Sequence, residues 1–284
     1  MKGMRCFAIF VLLVGLVCWV SSSALASPIT VDGNYSDWGF NTWSGFNTET
    51  ENESAGKPVT GVTNGVYWWE EDGVGESGYV GPGYGGQTFD VEGLYTKISD
   101  GYLYFMVISG MRGSVGSRTF EPGDIVINLL SNDVLEKQYV VETTGYRFDL
   151  DSSGYVSTTA KTGEAGYLYD VTGGDAVLGK GLSNWQNSSD NQDPTQITEI
   201  LGSGIPISLV FAQPGSEHSV IEGAISLSLL NLDGINGINI HYATVCGNDG
   251  GTTPNAPVPE PGTILLVGTG LLGLALGSRK RKTK

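Results

Sequence analysis

The run Tyr102-Leu103-Tyr104-Phe105-Met106-Val107-Ile108 is apolar on both of its alternating faces. Successive side chains of a strand point to opposite sides, so this run suits a central strand with protein packed on both faces. Asp100-Gly101 stands directly before it, and residues 89–99 before that read as a second strand. Asp-Gly supplies the positive φ angles of a type I′ turn, so the two runs predict a hairpin. A hairpin that needs cover on both sides calls for a layered β body.

The rest of the chain agrees. Its 284 residues include 43 Gly, 13 Tyr and 6 Trp, and Gly is about twice its usual share. Many turns between aromatic-rich strands produce such a composition, and a helical bundle does not. Further strands are expected over residues 125–130, 138–142, 167–171, 207–212, 219–225 and 238–245, and Tyr146–Leu150 reads as pairing back across Thr143-Thr144-Gly145. Leu227, Leu230 and Leu232 share a face in one short helix over 226–232. Gly- and Pro-punctuated polar stretches at 47–61, 70–86 and 179–194 read as loops. No internal repeat is visible. The fold class is all-β, a β-sandwich or jelly-roll-like body over residues 27–250, followed by a linker over 251–258.

Both ends read as addresses. Lys2 and Arg5 precede an apolar run over 6–20, and Ala24-Leu25-Ala26 fits the small-x-small rule for signal peptidase. Residues 1–26 are thus a signal peptide, and the mature chain begins at Ser27. At the other end Val258-Pro259-Glu260-Pro261 leads into an apolar run over 264–276 and then Arg279-Lys280-Arg281-Lys282. Extended to residues 263–278, the run is a single hydrophobic helix that crosses the inner membrane, with its basic tail held inside.

Pro259, Glu260 and Pro261, one Gly- and Leu-rich span and the Arg279, Lys280, Arg281 cluster resemble the PEP-CTERM sorting signal of Gram-negative bacteria, here over residues 259–284. The resemblance implies an exosortase as partner, cleavage near Pro-Glu-Pro, and a protein first anchored in the inner membrane and then delivered to the cell surface or medium. Residues 241–249, ending Cys246-Gly247-Asn248-Asp249, resemble a stretch that often stands just before that signal. A looser likeness covers the body. Ile29-Thr30-Val31-Asp32-Gly33-Asn34-Tyr35-Ser36-Asp37-Trp38 resembles the opening of carbohydrate-binding family 9-like and DOMON-like sandwiches. That likeness implies a sandwich, in which Asp32 and Asp37 either brace a turn or serve a cation.

Charge narrows the partners. With Glu260 counted on the exported side, the exported part keeps eight basic and all thirty acidic residues, a formal charge of −22. Such a surface repels phosphate backbones, so nucleic acid is excluded as a partner. It suits a hydrated matrix, or simple solubility. Cys246 is the one cysteine outside the signal peptide, so the mature chain has no internal disulfide. It is expected either buried or paired between chains.

Few residues suggest chemistry. The two histidines, His218 and His241, lie in separate segments, and no H-E-x-x-H or G-x-S-x-G occurs. The expectation is no enzyme, with a polysaccharide hydrolase as a remote alternative. Asp149, Asp151 and Ser153 offer oxygens at alternate positions before Gly154, as in the first half of a calcium loop. Ala160 stands where a bidentate Glu would close it, so calcium is an open cofactor there, against a plain turn. Trp43, Trp68, Trp69 and Tyr84 lie in or beside Gly-rich loops, where aromatic faces can stack on sugar rings. Trp68 and Trp69 must point to opposite faces of a strand, one toward the core. The reading is an exported, exosortase-processed surface or extracellular-matrix protein, non-catalytic and associated with exopolysaccharide. The alternatives are a calcium-dependent carbohydrate-binding module and a self-associating coat protein.

Overall fold

The two-faced run Tyr102–Ser109 lies inside a six-stranded antiparallel sheet, covered on both sides. In this computed structural model the described residues are 29–39, 59–71, 90–110, 122–144, 146–150, 155–162, 165–182, 194–212, 218–245, 247 and 249–258. They form β1 (Val59–Thr63), β2 (Val66–Glu70), β3 (Val91–Ser99), β4 (Tyr102–Ser109), β5 (Ile125–Ser131), β6 (Val134–Glu142), β7 (Tyr146–Leu150), β8 (Tyr155–Thr162) and β9 (Tyr167–Asp170). Then follow β10 (Ala176–Leu182), β11 (Pro194–Ile200), β12 (Ile205–Pro206), β13 (Ser208–Ala212), β14 (Ser219–Ser226), β15 (Gly237–Ala243), β16 (Gly250–Thr252) and β17 (Ala256–Pro257).

The first sheet runs β1-β2-β3-β4-β14-β13, and the second runs β12-β9-β6-β5-β15-β16 with β17 also on β15. Their inner faces meet in one core. Leu94, Leu103, Phe105, Val107 and Ile221 from the first sheet pack against Ile125, Ile127, Val141, Ile238, Ile240 and Tyr242 from the second. Alternation sends Met106 and Ile108 to the outer face of the first sheet, where Ile29 and Trp38 cover them. Val126 and Val140 face outward from the second sheet and meet Ala176 and Ile197. These belong to a third, four-stranded sheet, β11-β10-β8-β7. The described residues are therefore all-β, with a two-sheet sandwich covered on each outer side.

The N-terminal cover is clasped by one carboxylate. Glu222 on β14 accepts Trp38 Nε1–H at 2.8 Å and the backbone N–H groups of Gly33 at 2.7 Å and Asp32 at 2.9 Å. Asp32 accepts Asn34 N–H at 2.8 Å and Asp37 accepts Thr30 N–H at 2.6 Å, so both acids brace this turn. Gly33 has φ +79° and its α-carbon lies against the Ala212 side chain, so a Cβ there meets both strain and overlap.

Several expectations need correction. Tyr146–Leu150 does not pair back on β6; it pairs with β8 in the third sheet. The physical cause is at Thr143, whose N–H donates to buried Asp124 at 2.9 Å while Asp124 also accepts Ile197 N–H at 2.7 Å. That anchor turns the chain out of the second sheet. Only Leu227–Leu229 is helical in 226–232, as a single 3₁₀ turn capped by Ser226. Residues 251–258 are not a linker. β16 and β17 both pair with β15, and Val258 N–H donates to Asn236 O at 3.2 Å. Among the described residues no helix is long and apolar enough to cross a membrane. The expected signal peptide and C-terminal helix lie outside those residues.

Candidate functional site

Strand alternation places Trp69 of β2 in the core and Glu70 outside, where it accepts Tyr95 O–H at 2.8 Å. The next residue, Glu71, continues the inward face and is buried. Its N–H donates to Glu92 O at 3.2 Å, at the start of β3. Asp90 stands just before β3 and its carbonyl accepts Gly110 N–H at 2.9 Å. A register shift between Val91 and Gly93 leaves Glu92 as an extra, bulged residue. Glu92 Oε1 lies 2.9 Å from His218 Nε2.

Asp249 approaches from the second sheet, between β15 and β16. Its Oδ2 accepts Val91 N–H at 2.5 Å, and its Oδ1 accepts Gly250 N–H at 2.7 Å. One carboxylate oxygen from each of Glu71, Asp90 and Asp249 lies within 4.8 Å of the other two. Asp90 and Asp249 are 1% and 2% exposed. Burial, then Glu92 and Glu71, push the Asp90 carboxyl up to about 9. Burial and Asp90 hold Asp249 well above the usual carboxylate range, against the pull of the Val91 and Gly250 N–H groups. Three acids from separate chain segments thus meet where the two sheets join. Gly251 beside them leaves room for the Trp69 indole, which a Cβ would overlap.

The other deeply buried acids have structural partners. Glu222 holds the N-terminal clasp. Asp124 anchors Thr143 and Ile197, with burial raising its carboxyl to about 7 despite those donors. His241 Nδ1 lies 3.0 Å from Thr252 Oγ1 on β16.

The structure describes few of the sequence-expected site residues. Trp69 is 5% exposed and packed in the core. Trp68 is half-buried on the opposite face, where its Nε1–H donates to Thr63 Oγ1 at 3.2 Å. On that face Tyr102 is 43% exposed, with the ring of half-buried Tyr104 at 6.0 Å. Trp43, Tyr84, Asp151, Ser153 and Cys246 lie outside the described residues, and Asp149 is described only as backbone in β7. So do Ala24, Ala26, Ser27, Pro259, Glu260, Pro261, Arg279, Lys280 and Arg281. Glu71 and Asp90 were hidden in sequence at loop edges. The signal that marks Glu71 is its place two residues after Trp69, on the inward face of a strand. Asp249 closes the Cys-Gly-Asn-Asp stretch, which on sequence alone pointed to sorting rather than to a buried cluster.

Comparison with protein families identifies residues 257–282 as a PEP-CTERM protein-sorting motif. No curated protein and no solved structure matches the chain. The motif makes this an exported protein, transiently anchored in the membrane and processed to the cell surface, with an exosortase as its processing partner. It begins within the fold, because Pro257 belongs to β17 and Val258 packs against the core.

Proposed function

We propose that the chain is a non-catalytic surface or matrix protein whose sandwich is folded up to the sorting signal before an exosortase acts. The observation that carries this reading is the join at Val258. Its N–H is bonded to Asn236 O and its side chain packs on the core, one residue before Pro259. The processing enzyme therefore meets a rigid body with almost no spacer. The body left after cleavage keeps its last strand pinned to β15.

Association with exopolysaccharide is the finer part of this proposal. Its support is the outer face of the first sheet, where Tyr102, Tyr104 and Trp68 present aromatic surface beyond the N-terminal cover. Sugar rings stack on such surface through their apolar C–H faces. Against a catalytic reading, Glu222 and Asp124 already use their oxygens to hold backbone N–H groups.

Replacing Pro259, Glu260 and Pro261 together by Ala tests the sorting step. The expected result is a full-length species retained in the envelope. Unchanged release of a shortened protein would refute the reading.

A further inference from the structure

We propose that Glu71, Asp90 and Asp249 bind a hard divalent cation, calcium foremost, that ties the two large sheets together at one end of the sandwich. The acids converge from three chain segments, and their nearest oxygens lie within 4.8 Å of one another. That spacing suits carboxylates around one ion, since calcium–oxygen distances are about 2.3–2.6 Å.

A second observation points to a ligand. Both Asp90 oxygens are buried and no N–H or hydroxyl donor reaches them; the side chain is only 1% exposed, and the groups in hydrogen-bonding reach of it are the carboxyls of Glu71 and Asp249. A buried carboxylate ordinarily has a donor or a counter-charge. The charges acting on Asp90 are those of Glu92 and Glu71, and its other neighbour is the Asp249 carboxyl, so all three are acids. A cation among them supplies the missing partner. Asp249 is already aimed by two backbone N–H groups, each taking one lone pair and leaving others free.

The placement gives the ion a role. Glu71 and Asp90 flank β2 and β3 in the first sheet, and Asp249 sits between β15 and β16 in the second. Binding there closes the end of the sandwich opposite β17, because Asp249 lies by the Ala243 end of β15 whereas β17 pairs with its Gly237 end. Sites in extracellular modules hold calcium at about 10⁻⁴–10⁻³ M. A site of that strength fills only after export.

The exported protein is stripped with chelator and its melting temperature is followed as calcium is added. At about 10 mM calcium a site of this strength raises it by roughly 3–10 °C. Terbium, which replaces calcium and is sensitised by nearby aromatic rings, reports binding directly. Asp90→Asn keeps the side-chain shape and removes one charge, so it should abolish both responses while folding in chelator at least as well as wild type. Glu71→Gln serves as the second variant and should weaken both. Asp149→Asn, at the calcium loop suggested by sequence, should leave both intact. Wild-type protein with neither a shift nor a terbium signal would overturn the proposal. So would responses that persist in Asp90→Asn, or that vanish in Asp149→Asn alone.

Discussion

Glu222→Ala removes the acceptor of the N-terminal clasp. Three donors lose their partner: the Trp38 indole N–H and the N–H groups of Gly33 and Asp32. Trp38 and Glu222 are fully buried, so water cannot replace the lost acceptor at the indole. A buried donor left unsatisfied costs about 1–3 kcal/mol. Two buried donors therefore cost about 4 kcal/mol, while Asp32 N–H, which is partly exposed, can turn to water. Relief from burying the carboxylate offsets some of this, which leaves a net loss of about 3 kcal/mol. That is a large share of the roughly 5–15 kcal/mol that holds a domain together. Glu222→Gln keeps the volume but puts an N–H₂ where an acceptor stood, so about half the loss is expected. The assay is urea unfolding followed by circular dichroism, with amide hydrogen exchange over residues 29–39. The midpoint should fall, and exchange in that segment should rise first because it opens before the sheets do. A change under about 0.5 kcal/mol, the size of an ordinary surface substitution, would refute this account of the clasp.

Trp69→Ala empties the core beside Gly251 and should cost about 3–5 kcal/mol, read by the same unfolding assay. Trp68→Ala should leave the fold largely intact and lower retention on the native exopolysaccharide; unchanged retention removes Trp68 from the binding proposal. Asp124 holds its proton up to about pH 7 in the folded protein but only to about 3.8 when unfolded. Stability from this group is full below the lower value and lost as pH rises through the higher one, by at most about 4 kcal/mol. Asp124→Asn should flatten the slope of stability between pH 5 and 7, and an unchanged slope would contradict the assignment.

The central hairpin was legible because Tyr102–Ser109 is apolar on both faces and Asp100-Gly101 names the turn; both residues do adopt positive φ, 52° and 80°. Asn64-Gly65 and Asn132-Asp133 make turns of the same kind, with φ of 53°, 76°, 51° and 64°. Their flanks hide it. β1 is a short edge strand, and β6 opens with exposed Val134 and Leu135 followed by Glu136 and Lys137, which blurs the alternation. In the third sheet only β7 is expected as a strand; β10 and β11 escape notice because they carry Gly, Lys, Thr and Gln in place of a clean apolar face. Residues 251–258 look like a Pro- and Gly-rich linker, yet pairing with β15 holds them in the sheet, with Asn255 accepting from Asn239 and Thr253 from Ile240 N–H. Contacts between distant segments decided these cases, and no local pattern encodes them. The carboxylate cluster is the same kind of feature: residues 71, 90 and 249 meet only once two sheets have closed.

On the proposed reading this folded sandwich is exported and cut from its membrane tail near the Pro-Glu-Pro motif. Intact-mass measurement on the protein from its native bacterium, with envelope and medium analysed separately, tests it most directly. The expected result is a released species that begins at Ser27 and ends near Pro261, without the basic tail. A sole species in the envelope that still carries Arg279 to Lys284 would contradict it.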